Sequence, residues 1–365
     1  MNVWGENLKL SIFGESHGKG IGIVIDGLPS GTELDLDEIR REMLRRAPGR
    51  DSLSTARREP DEVEILSGFY NGKTTGTPLA AVIFNTDTRS HDYTPELIRP
   101  GHADFTGFKK YGESHDFRGG GHFSGRITAP LVFAGAIAKQ ILKRQSINIG
   151  AHIMQIGDVS DAAFDTLSID LSLLDKLSHK DFPVVDDTAA EKMKELISEK
   201  KSQLDSVGGI IECAITGVPC GIGNPFFGSV ESRISSMIFS VPAVKGIEFG
   251  AGFGFADMCG SEANDAFYCE NGTIKTKTNN NAGINGGITN GMPIIFRSVI
   301  KPTPSIAKTQ QTINLKTMEN TELSIPGRHD PCIVHRAVSA VSYTHLQKFK
   351  LNSLILIFLK LGVAI

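Results

Sequence analysis

The chain has 365 residues, of which 40% are hydrophobic and 22% are charged, and its formal net charge at pH 7 is -3. This composition is typical of a folded globular protein and excludes an intrinsically disordered chain. The small net charge excludes a chain-wide attraction to nucleic acid or to an anionic membrane, so any anion that binds must be met by a local cluster of cations.

The cysteines and the two ends of the chain favour a reduced, intracellular protein. Five cysteines without C-x-x-C spacing argue against a disulfide framework and against a zinc site. The N-terminal segment MNVWGENLKL lacks the basic region and apolar core of a secretory signal. The apolar run from Leu354 to Leu359 is too short to cross a bilayer, so we expect it to be a terminal helix or strand. These features predict a cytoplasmic protein.

The first motif in chain order is FGESHGKGIG at residues 13–22, which matches the G-x-S-x-G pattern of a hydrolase nucleophile elbow at Ser16. Such an elbow follows several βα units and leads into a helix. Here only fifteen residues precede Ser16, and the segment after His17, GIGIVIDGLP, is typical of a strand. A serine hydrolase is therefore a disfavoured alternative, and His17 is the stronger candidate for chemistry.

The next segment, ELDLDEIRREMLRRAPG, predicts a helix. Its apolar residues recur at helical spacing, and Asp35 with Glu38 is placed as a capping box. The dipeptide Pro48-Gly49 provides the stop signal.

Later segments predict a mixture of helices and strands. Amphipathic helices are predicted from Ala129 to about Arg144 and from Thr188 to about Leu204. Short β-rich runs are bounded by Gly and Pro, namely EVEIL, AAVIF, INIGAHIMQIG and GIIECAITGV. The mixture predicts an α+β fold, and the absence of a linker or repeat in the sequence predicts a single domain.

Seven arginines fall within nineteen residues at the end of the first predicted helix and in the loop after it: Arg40, Arg41, Arg45, Arg46, Arg50, Arg57 and Arg58. The planar guanidinium group pairs with carboxylate and phosphate through two hydrogen bonds, so the cluster could bind a small polyanion. The alternative is a solvated face that nearby acidic residues balance.

Histidines and glycines are also concentrated. Half of the ten histidines lie in the first 122 residues: His17, His91, His102, His115 and His122. An imidazole with an ordinary pKa near 6.5 can donate a proton to a departing phosphate at neutral pH. The segments RGGGHFSGR and NNNAGINGGITNG hold more glycine than regular elements need, which predicts loops or close approaches of the backbone to a ligand.

Taken in order and at their spacing, ten motifs resemble the chorismate synthase family: FGESHG, RREPD, SGFYNGKTTGTPL, NTDTRS.DY, RPGHAD, KYGESHDFRGGGHFSGR, PAVKGIEFG, NGGITNGMPI, KPTPSI and GRHDPC. The resemblance implies antiparallel sheets layered with helices in an α+β fold, and a homotetramer. It implies the conversion of 5-enolpyruvylshikimate 3-phosphate to chorismate by an anti-1,4-elimination that requires reduced FMN. It implies no metal.

The resemblance also implies roles for particular residues. His17 is similar to the family histidine near the leaving phosphate, and His102 to the one that bonds and protonates the flavin. Ser16 and Asp330 resemble residues that help to relay protons. Arg46 and Arg126 are expected to bind the anionic substrate.

By the same resemblance, the FMN contacts fall on His122, Phe123, Ser124, Pro242, Ala243, Gly286, Lys301, Pro302, Thr303, Pro304, Ser305 and Arg328. Lys301 and Arg328 would offset the charge of the FMN phosphate. Many members have Arg-Ser-Ser where this chain has His122-Phe123-Ser124, and some have Asn in place of Pro242.

The chain lacks the extra length of a built-in flavin reductase, so a separate reductase would supply reduced FMN and NADPH would act only through it. From Val341 the residues have no likeness to the family, so we expect one domain over residues 1–340 and an atypical tail over 341–365. A noncatalytic protein that binds flavin or a phosphorylated metabolite is the alternative from another functional class.

Overall fold

The computed structural model describes residues 2–49, 53–55, 57–87, 94–325 and 329–343. In chain order the strands are β1 Val3–Trp4, β2 Lys9–Gly14, β3 Gly20–Asp26, β4 Glu64–Ser67, β5 Phe69–Tyr70, β6 Lys73–Thr74, β7 Leu79–Phe84, β8 Asn148–Ile156, β9 Val159–Ser160, β10 Gly209–Thr216, β11 Val244–Phe249, β12 Phe267–Glu270, β13 Thr273–Thr276, β14 Ile284–Asn285, β15 Ile288–Thr289, β16 Ile294–Ile300, β17 Gln310–Ile313 and β18 Asn320–Leu323. The helices are α1 Leu36–Arg46, α2 Asp104–Tyr111, α3 Thr128–Lys143, α4 Leu171–His179, α5 Asp187–Ser202, α6 Val230–Ile238, α7 Gly260–Ala263 and α8 Val334–Tyr343.

The first five-stranded sheet has the order β1-β2-β3-β7-β4, and all of its pairs are antiparallel. Strand β3 confirms the strand predicted after the first motif. Its residues Ile21, Ile23 and Ile25 alternate along the strand and are buried. The turn between β2 and β3 carries Ser16 and His17, so the hairpin places both side chains at one end of this sheet.

The second five-stranded sheet has the order β11-β16-β10-β8-β9 and is also antiparallel. The predicted runs INIGAHIMQIG and GIIECAITGV form β8 and β10, which pair along their whole lengths. Strand β16 pairs with β10 on one side and with β11 on the other. Because β16 ends at Ile300 and β11 begins at Val244, the segments around Lys301 and Ala243 meet at one end of this sheet.

A layer of helices joins the two sheets. Helix α3 contacts β3 and β7 of the first sheet and β8 of the second, while α1 and α8 pack against α3. One apolar core contains residues of both sheets and of these helices, among them Phe133 and Ile137 of α3, which are almost fully buried. The architecture confirms the predicted α+β class of antiparallel sheets layered with helices. No helix within the described residues combines the length and apolar character needed to span a membrane.

The three predicted helices are confirmed as α1, α3 and α5, with ends within about two residues of those expected. The capping box at α1 is only half formed. The Asp35 side chain accepts hydrogen bonds from the backbone N–H groups of Asp37 and Glu38. The Asp35 N–H donates to Gln140 Oε1 of α3 at 2.9 Å, so a tertiary contact takes the place expected for the Glu38 carboxylate.

A fully buried histidine ties β8 to β10. His152 Nε2 lies 3.1 Å from Glu212 Oε2, and its Nδ1 lies 2.9 Å from Asp161 Oδ2. Burial by itself lowers the pKa of His152, but the hydrogen bonds and charges of the two carboxylates outweigh it, and the net effect raises the pKa. The two carboxylates therefore stabilise the protonated form of the imidazole, which is how a buried charge is tolerated.

This cluster predicts a pH-dependent contribution to stability. Because the pKa of His152 is raised in the folded state, its stabilisation is complete below the ordinary histidine pKa and is lost as pH rises through the raised value. We expect His152→Gln to lower the free energy of unfolding by roughly 3–5 kcal/mol near pH 6, because two buried carboxylates lose their cation. Urea unfolding between about pH 6 and about pH 9 should show the difference from wild type shrinking.

The matched control is His179→Gln, which removes an exposed imidazole on α4. That variant should stay within about 0.5 kcal/mol of wild type at every pH. A deficit in His152→Gln that is the same at both pH values would contradict an imidazolium between the two carboxylates.

Candidate functional site

Three consecutive glycines bring two of the predicted histidines to one stretch of backbone. A methyl group added at Gly119 would lie 2.3 Å from Cε1 of His17 and 3.0 Å from Oγ of Ser16. A methyl group at Gly120 would lie 3.2 Å from both Cε1 and Nε2 of His102. Since consecutive Cα atoms are about 3.8 Å apart, the two imidazoles border adjacent positions of the same segment.

The glycines are needed for conformation as well as for space. Gly119, Gly120 and Gly121 have φ angles of 59°, 84° and 52°, which residues with side chains rarely adopt. The segment is tied to the end of β2 by two hydrogen bonds. Ser16 N donates to Gly121 O at 3.1 Å, and His122 Nδ1 lies 2.8 Å from Gly14 O. The turn that carries His17 is therefore anchored to the glycine segment.

His102 is oriented by a carboxylate that is itself held in place. Its Nδ1 lies 2.7 Å from Asp104 Oδ1, and Arg99 donates to both oxygens of Asp104 at 2.7 and 2.8 Å. Burial raises the pKa of Asp104, but the hydrogen bonds from Arg99 and His102 outweigh this effect. The net pKa is lowered, so the carboxylate is charged. Burial lowers the pKa of His102, with the Asp104 hydrogen bond opposing it. An Nδ1–H donated to Asp104 leaves Nε2 as the nitrogen beside Gly120.

His17 lies in a more mixed environment. Burial is the largest cause of its lowered pKa, and the charge of Arg57 adds to the effect. A hydrogen bond to the Arg118 backbone and the Asp116 charge act in the opposite direction. The imidazole is thus predominantly neutral at neutral pH, and a nearby anion would raise its pKa.

The segment after β16 reaches the loop that carries His102. The Lys301 Nζ donates to Gly101 O, and Lys301 N donates to Ala243 O at 2.9 Å. The Pro304 Cβ lies 3.5 Å from a methyl group added at Gly101. Ser305 is joined to the same loop, because Arg99 Nη1 donates to its Oγ at 3.4 Å. The structure therefore brings His102 together with Ala243 and residues 301–305.

Lys301 has an unusual electrostatic environment. Burial and the charge of Lys245 both lower the pKa of its ammonium group. A bound anion would be stabilised at this position, because it would offset the mutual repulsion of two lysines.

Arg46 and Arg126 share one buried carboxylate. Arg46 Nε donates to Asp61 Oδ2 at 2.7 Å, and Arg126 Nη1 donates to the other oxygen, Oδ1. Both guanidinium side chains are only 3% exposed. The structure thus places them inside the protein, so direct contact with a substrate would require them to exchange a partner. Their expected contact with substrate stays a prediction.

The same network carries more positive than negative charge. Four arginines act on one another there, Arg46, Arg57, Arg126 and Arg336, and three carboxylates oppose them, Glu59, Asp61 and Asp330. One positive charge is therefore uncompensated among these described groups. Burial and the Arg46 charge lower the pKa of Arg126 to about 9, which leaves it a cation at pH 7. An anion bound near the network would relieve this repulsion.

Asp330 belongs to the same network. Its Oδ1 accepts from Thr55 N at 2.8 Å and from Arg336 Nη1 at 2.9 Å, and Arg336 Nε donates to Arg46 O at 3.1 Å. Asp330 therefore positions Arg336 and the loop at Thr55. Its hydrogen bonds connect it to Arg46 rather than directly to Ser16.

Other expected contacts are less directly connected. The Phe123 ring packs near Tyr111, with centroids 6.2 Å apart, and Ser124 caps the turn before α3. Gly286 lies in the hairpin of β14 and β15, before β16, whereas Lys301 follows β16. The expected contact of Gly286 with FMN stays a prediction. Arg50, His91 and Arg328 lie outside the described residues.

Several residues that organise the site had no predicted role. Asp104, Glu59 and Asp61 hold imidazole or guanidinium groups, and each was present in a quoted motif, RPGHAD or RREPD. The signal in the sequence was the close spacing of basic and acidic residues in these motifs. Such spacing indicates ion pairs when the residues are known to be buried. The serine hydrolase alternative gains no support, because Ser16 is fully buried and its Oγ accepts from Arg57 at 2.9 Å.

Comparison with known proteins gives a consistent family. A family model described as chorismate synthase matches residues 8–350. A chorismate synthase of Dehalococcoides mccartyi is 45% identical over 342 residues, which cover 93% of each chain. One of Methanobrevibacter smithii is 44% identical over 340 residues, 92% of each chain. A solved structure titled "Crystal Structure of Chorismate Synthase" matches with a TM-score of 0.74 and 28% identity, covering 98% of this chain and 93% of that one.

The glycine segment predicts a contrast between two alanine variants. Gly119→Ala should destabilise the protein by roughly 1–3 kcal/mol, because the methyl group overlaps the His17 ring and the backbone has a positive φ. Gly125→Ala, six residues away, meets nothing within 4 Å and should stay within about 0.5 kcal/mol of wild type.

Urea unfolding measures the stability difference, and imidazole NMR signals report the position of the ring. In Gly119→Ala the His17 signals should shift. Equal stability of the two variants, with His17 signals unchanged, would show that the ring does not border Gly119.

Proposed function

Because the chain belongs to the chorismate synthase family, we propose how its own residues serve the reaction of that family. The chain is a lyase of the shikimate pathway that forms chorismate for aromatic biosynthesis. Its substrate is 5-enolpyruvylshikimate 3-phosphate. The observation that carries our assignment of roles is the approach of His17 and His102 to adjacent glycines.

His17 is proposed to be the proton donor to the departing phosphate. Its lowered pKa keeps the imidazole largely neutral before the substrate binds. A phosphate dianion beside the ring would raise that pKa. The imidazole would therefore take up the proton that it needs when the substrate binds. The ring would then deliver this proton as the carbon–oxygen bond breaks.

His102 is proposed to form a hydrogen bond with the flavin cofactor and to protonate it. The Asp104 carboxylate fixes Nδ1 as a donor, which leaves Nε2 facing the glycine segment as the exchanging nitrogen. Arg99 donates to both oxygens of Asp104 and so fixes the carboxylate that orients the ring. His102 and His17 would thus work from the same segment on different proton transfers.

Reduced FMN is proposed to bind near His102 and Lys301. Lys301 and Lys245 repel each other and would be stabilised by a phosphate, and Ala243 has a φ of 72° that turns the backbone before β11. We propose that the FMN contacts are those expected: His122, Phe123, Ser124, Pro242, Ala243, Gly286, residues 301–305 and Arg328. When bound, the reduced flavin supplies the electron density that an unactivated ring requires for the elimination.

The arginine network is proposed to bind the anionic substrate largely through its field. Arg46 and Arg126 are buried behind the site and share Asp61, so their uncompensated charge would attract a substrate that carries a phosphate and two carboxylates. Ser16 and Asp330 are proposed to assist proton transfer. Ser16 would act beside His17, and Asp330 would act through Arg336 and Arg46.

We also propose a cytoplasmic homotetramer that receives reduced FMN from a separate flavin reductase, so that NADPH acts only through that reductase. Self-association is supported by large aromatic side chains that a second copy would cover, with Phe226, Phe227 and Phe253 exposed by 87%, 99% and 86%. The proposed domain over 1–340 is supported by the main apolar core, to which both five-stranded sheets contribute. The family match runs to residue 350 and α8 to Tyr343, so this boundary would fall within α8.

Anaerobic assays test the proposed roles of the two histidines. With reduced FMN and 5-enolpyruvylshikimate 3-phosphate, chorismate absorbance and released phosphate should appear together. The rate should fall by about 10²- to 10⁴-fold in His17→Ala and in His102→Ala, the range for loss of a positioned acid or base. With oxidised FMN alone there should be no turnover.

His179→Gln, on the exposed surface of α4, serves as the control and should retain full activity. Phosphate release without flavin would overturn the assigned reaction. Full activity of either histidine variant would overturn that residue's role.

Lys301 is tested by comparing two flavins. Lys301→Gln should weaken oxidised FMN binding about tenfold, the loss expected from one charge-assisted contact to phosphate. Riboflavin, which lacks the phosphate, should bind both proteins equally. Flavin fluorescence measures both affinities.

Lys308→Gln is the matched control, because Lys308 pairs with Asp205 at 2.7 Å on the exposed surface. It should leave both affinities unchanged. If Lys301→Gln weakened riboflavin as much as FMN, Lys301 would contact the ring system rather than the phosphate.

A further inference from the structure

We propose that Arg57 is a positioning residue of the catalytic centre, which fixes the direction of the Ser16 hydroxyl and sets the charge environment of His17. This inference rests on the proposed function, since it concerns how the proposed proton donor is prepared. Arg57 is one of seven arginines in its cluster, and neither its motif nor the family resemblance assigned it a separate role.

Arg57 contacts both the side chain and the backbone of Ser16. Nη1 of Arg57 donates to Ser16 Oγ at 2.9 Å, and Nη2 donates to the backbone oxygen of the same residue at 3.1 Å. Ser16 is fully buried, so these bonds are shielded from water. One guanidinium group thus holds both the side chain and the backbone of the residue that precedes His17.

The Arg57 side chain is held in its orientation by Glu59. Glu59 Oε1 accepts from Arg57 Nε at 3.1 Å and from Nη2 at 2.7 Å. The Glu59 carboxylate is itself fixed by Thr86, whose N–H and Oγ1 donate to its Oε2 at 3.0 and 2.8 Å. Burial raises the pKa of Glu59, but the hydrogen bonds from the Thr86 backbone and from Arg57 lower it overall. The carboxylate therefore stays charged and locks the guanidinium plane.

The Arg57 guanidinium group determines how the Ser16 hydroxyl group can hydrogen-bond. A guanidinium group has N–H donors and no acceptor, so the Ser16 oxygen must accept in this bond. Its own hydrogen is then directed elsewhere. Oγ borders the Gly119 position next to the His17 ring, where glycine leaves the space open. Arg57 thus makes Ser16 a hydrogen-bond donor toward the space shared with His17.

The positive charge of Arg57 also acts on His17. Among the described residues, the charged groups that shift the pKa of His17 include Arg57, Asp116 and Arg118. Asp116 and Arg118 form an ion pair with each other, with Oδ1 and Nε 2.8 Å apart, so their effects on the ring largely cancel. The Arg57 charge is the larger of the two arginine contributions that lower the pKa of His17. Arg57 thereby favours a neutral ring until an anionic ligand arrives.

Two substitutions at Arg57 separate these effects. Arg57→Lys keeps the charge but loses the fork that holds Ser16 and Glu59, whereas Arg57→Gln also loses the charge. Without flavin or substrate, the NMR titration midpoint of His17 should move to higher pH in Arg57→Gln and stay near wild type in Arg57→Lys. This measurement does not depend on the proposed reaction, so its failure would be distinct from failure of the assigned activity.

Kinetics provide the second readout. In both variants kcat/KM should fall by about 10- to 100-fold, because the serine and imidazole lose their orientation. The alkaline limb of the kcat/KM profile, which reports the protonated donor in the free enzyme, should move to higher pH only in Arg57→Gln. A purely structural role would lower the rate without moving the limb.

A double-mutant cycle with Ser16→Ala tests whether Arg57 acts through the serine. Once Ser16→Ala has removed the hydroxyl, Arg57→Lys should cost much less than it does in the wild type. Arg233→Gln is the matched control, because Arg233 pairs with Glu6 at 3.7 Å on α6, and it should leave rate and pH profile unchanged. An unmoved His17 midpoint in Arg57→Gln, or full additivity in the cycle, would overturn the proposal. If Arg57→Gln does not fold, the cycle with Arg57→Lys still decides it.

Discussion

The site depends on the absence of side chains at three consecutive positions. Gly119, Gly120 and Gly121 allow one backbone segment to pass between an imidazole from the β2–β3 turn and another from the loop before α2. Any larger residue would overlap a ring, a hydroxyl or the Asp116 carbonyl. Proximity of two groups with separate tasks is therefore secured by backbone shape, which is more rigid than a contact between long side chains.

Around this segment, buried charges are held in place by partners rather than by solvent. Asp104, Glu59 and Asp61 each bind an arginine, and each arginine contacts a further group of the site. Such pairs contribute little net stability, because burying the charges costs about as much as their attraction returns. Their value lies in orientation and in the field that they create. An excess of positive charge in this network suits a reaction whose substrate and leaving group are anions.

Some of this could be predicted from the sequence. Periodicity located α1, α3 and α5, because long amphipathic patterns depend on the chain alone. Motif order indicated the family and drew attention to His17 and His102. The half-formed capping box at Asp35 could not be predicted, since Gln140 competes from a helix about a hundred residues away. Nor could the burial of Arg46: seven clustered arginines are typical of an exposed surface, and only the fold places Asp61 between two of them.

Assembly of the centre requires segments that lie far apart in the sequence. The bond from Lys301 to Gly101 joins residues 200 positions apart, that from Thr55 to Asp330 spans 275, and that from Arg336 to Arg46 spans 290. Contacts of such high sequence separation form late, because the entropy of closing the intervening loops must be met first. A nascent chain that has emerged only to β16 would contain both histidines, yet Arg46 and Thr55 would lack their C-terminal partners. Competence in this enzyme is thus acquired only once the segment with Asp330 and Arg336 is available, after most of the secondary structure before it is able to form.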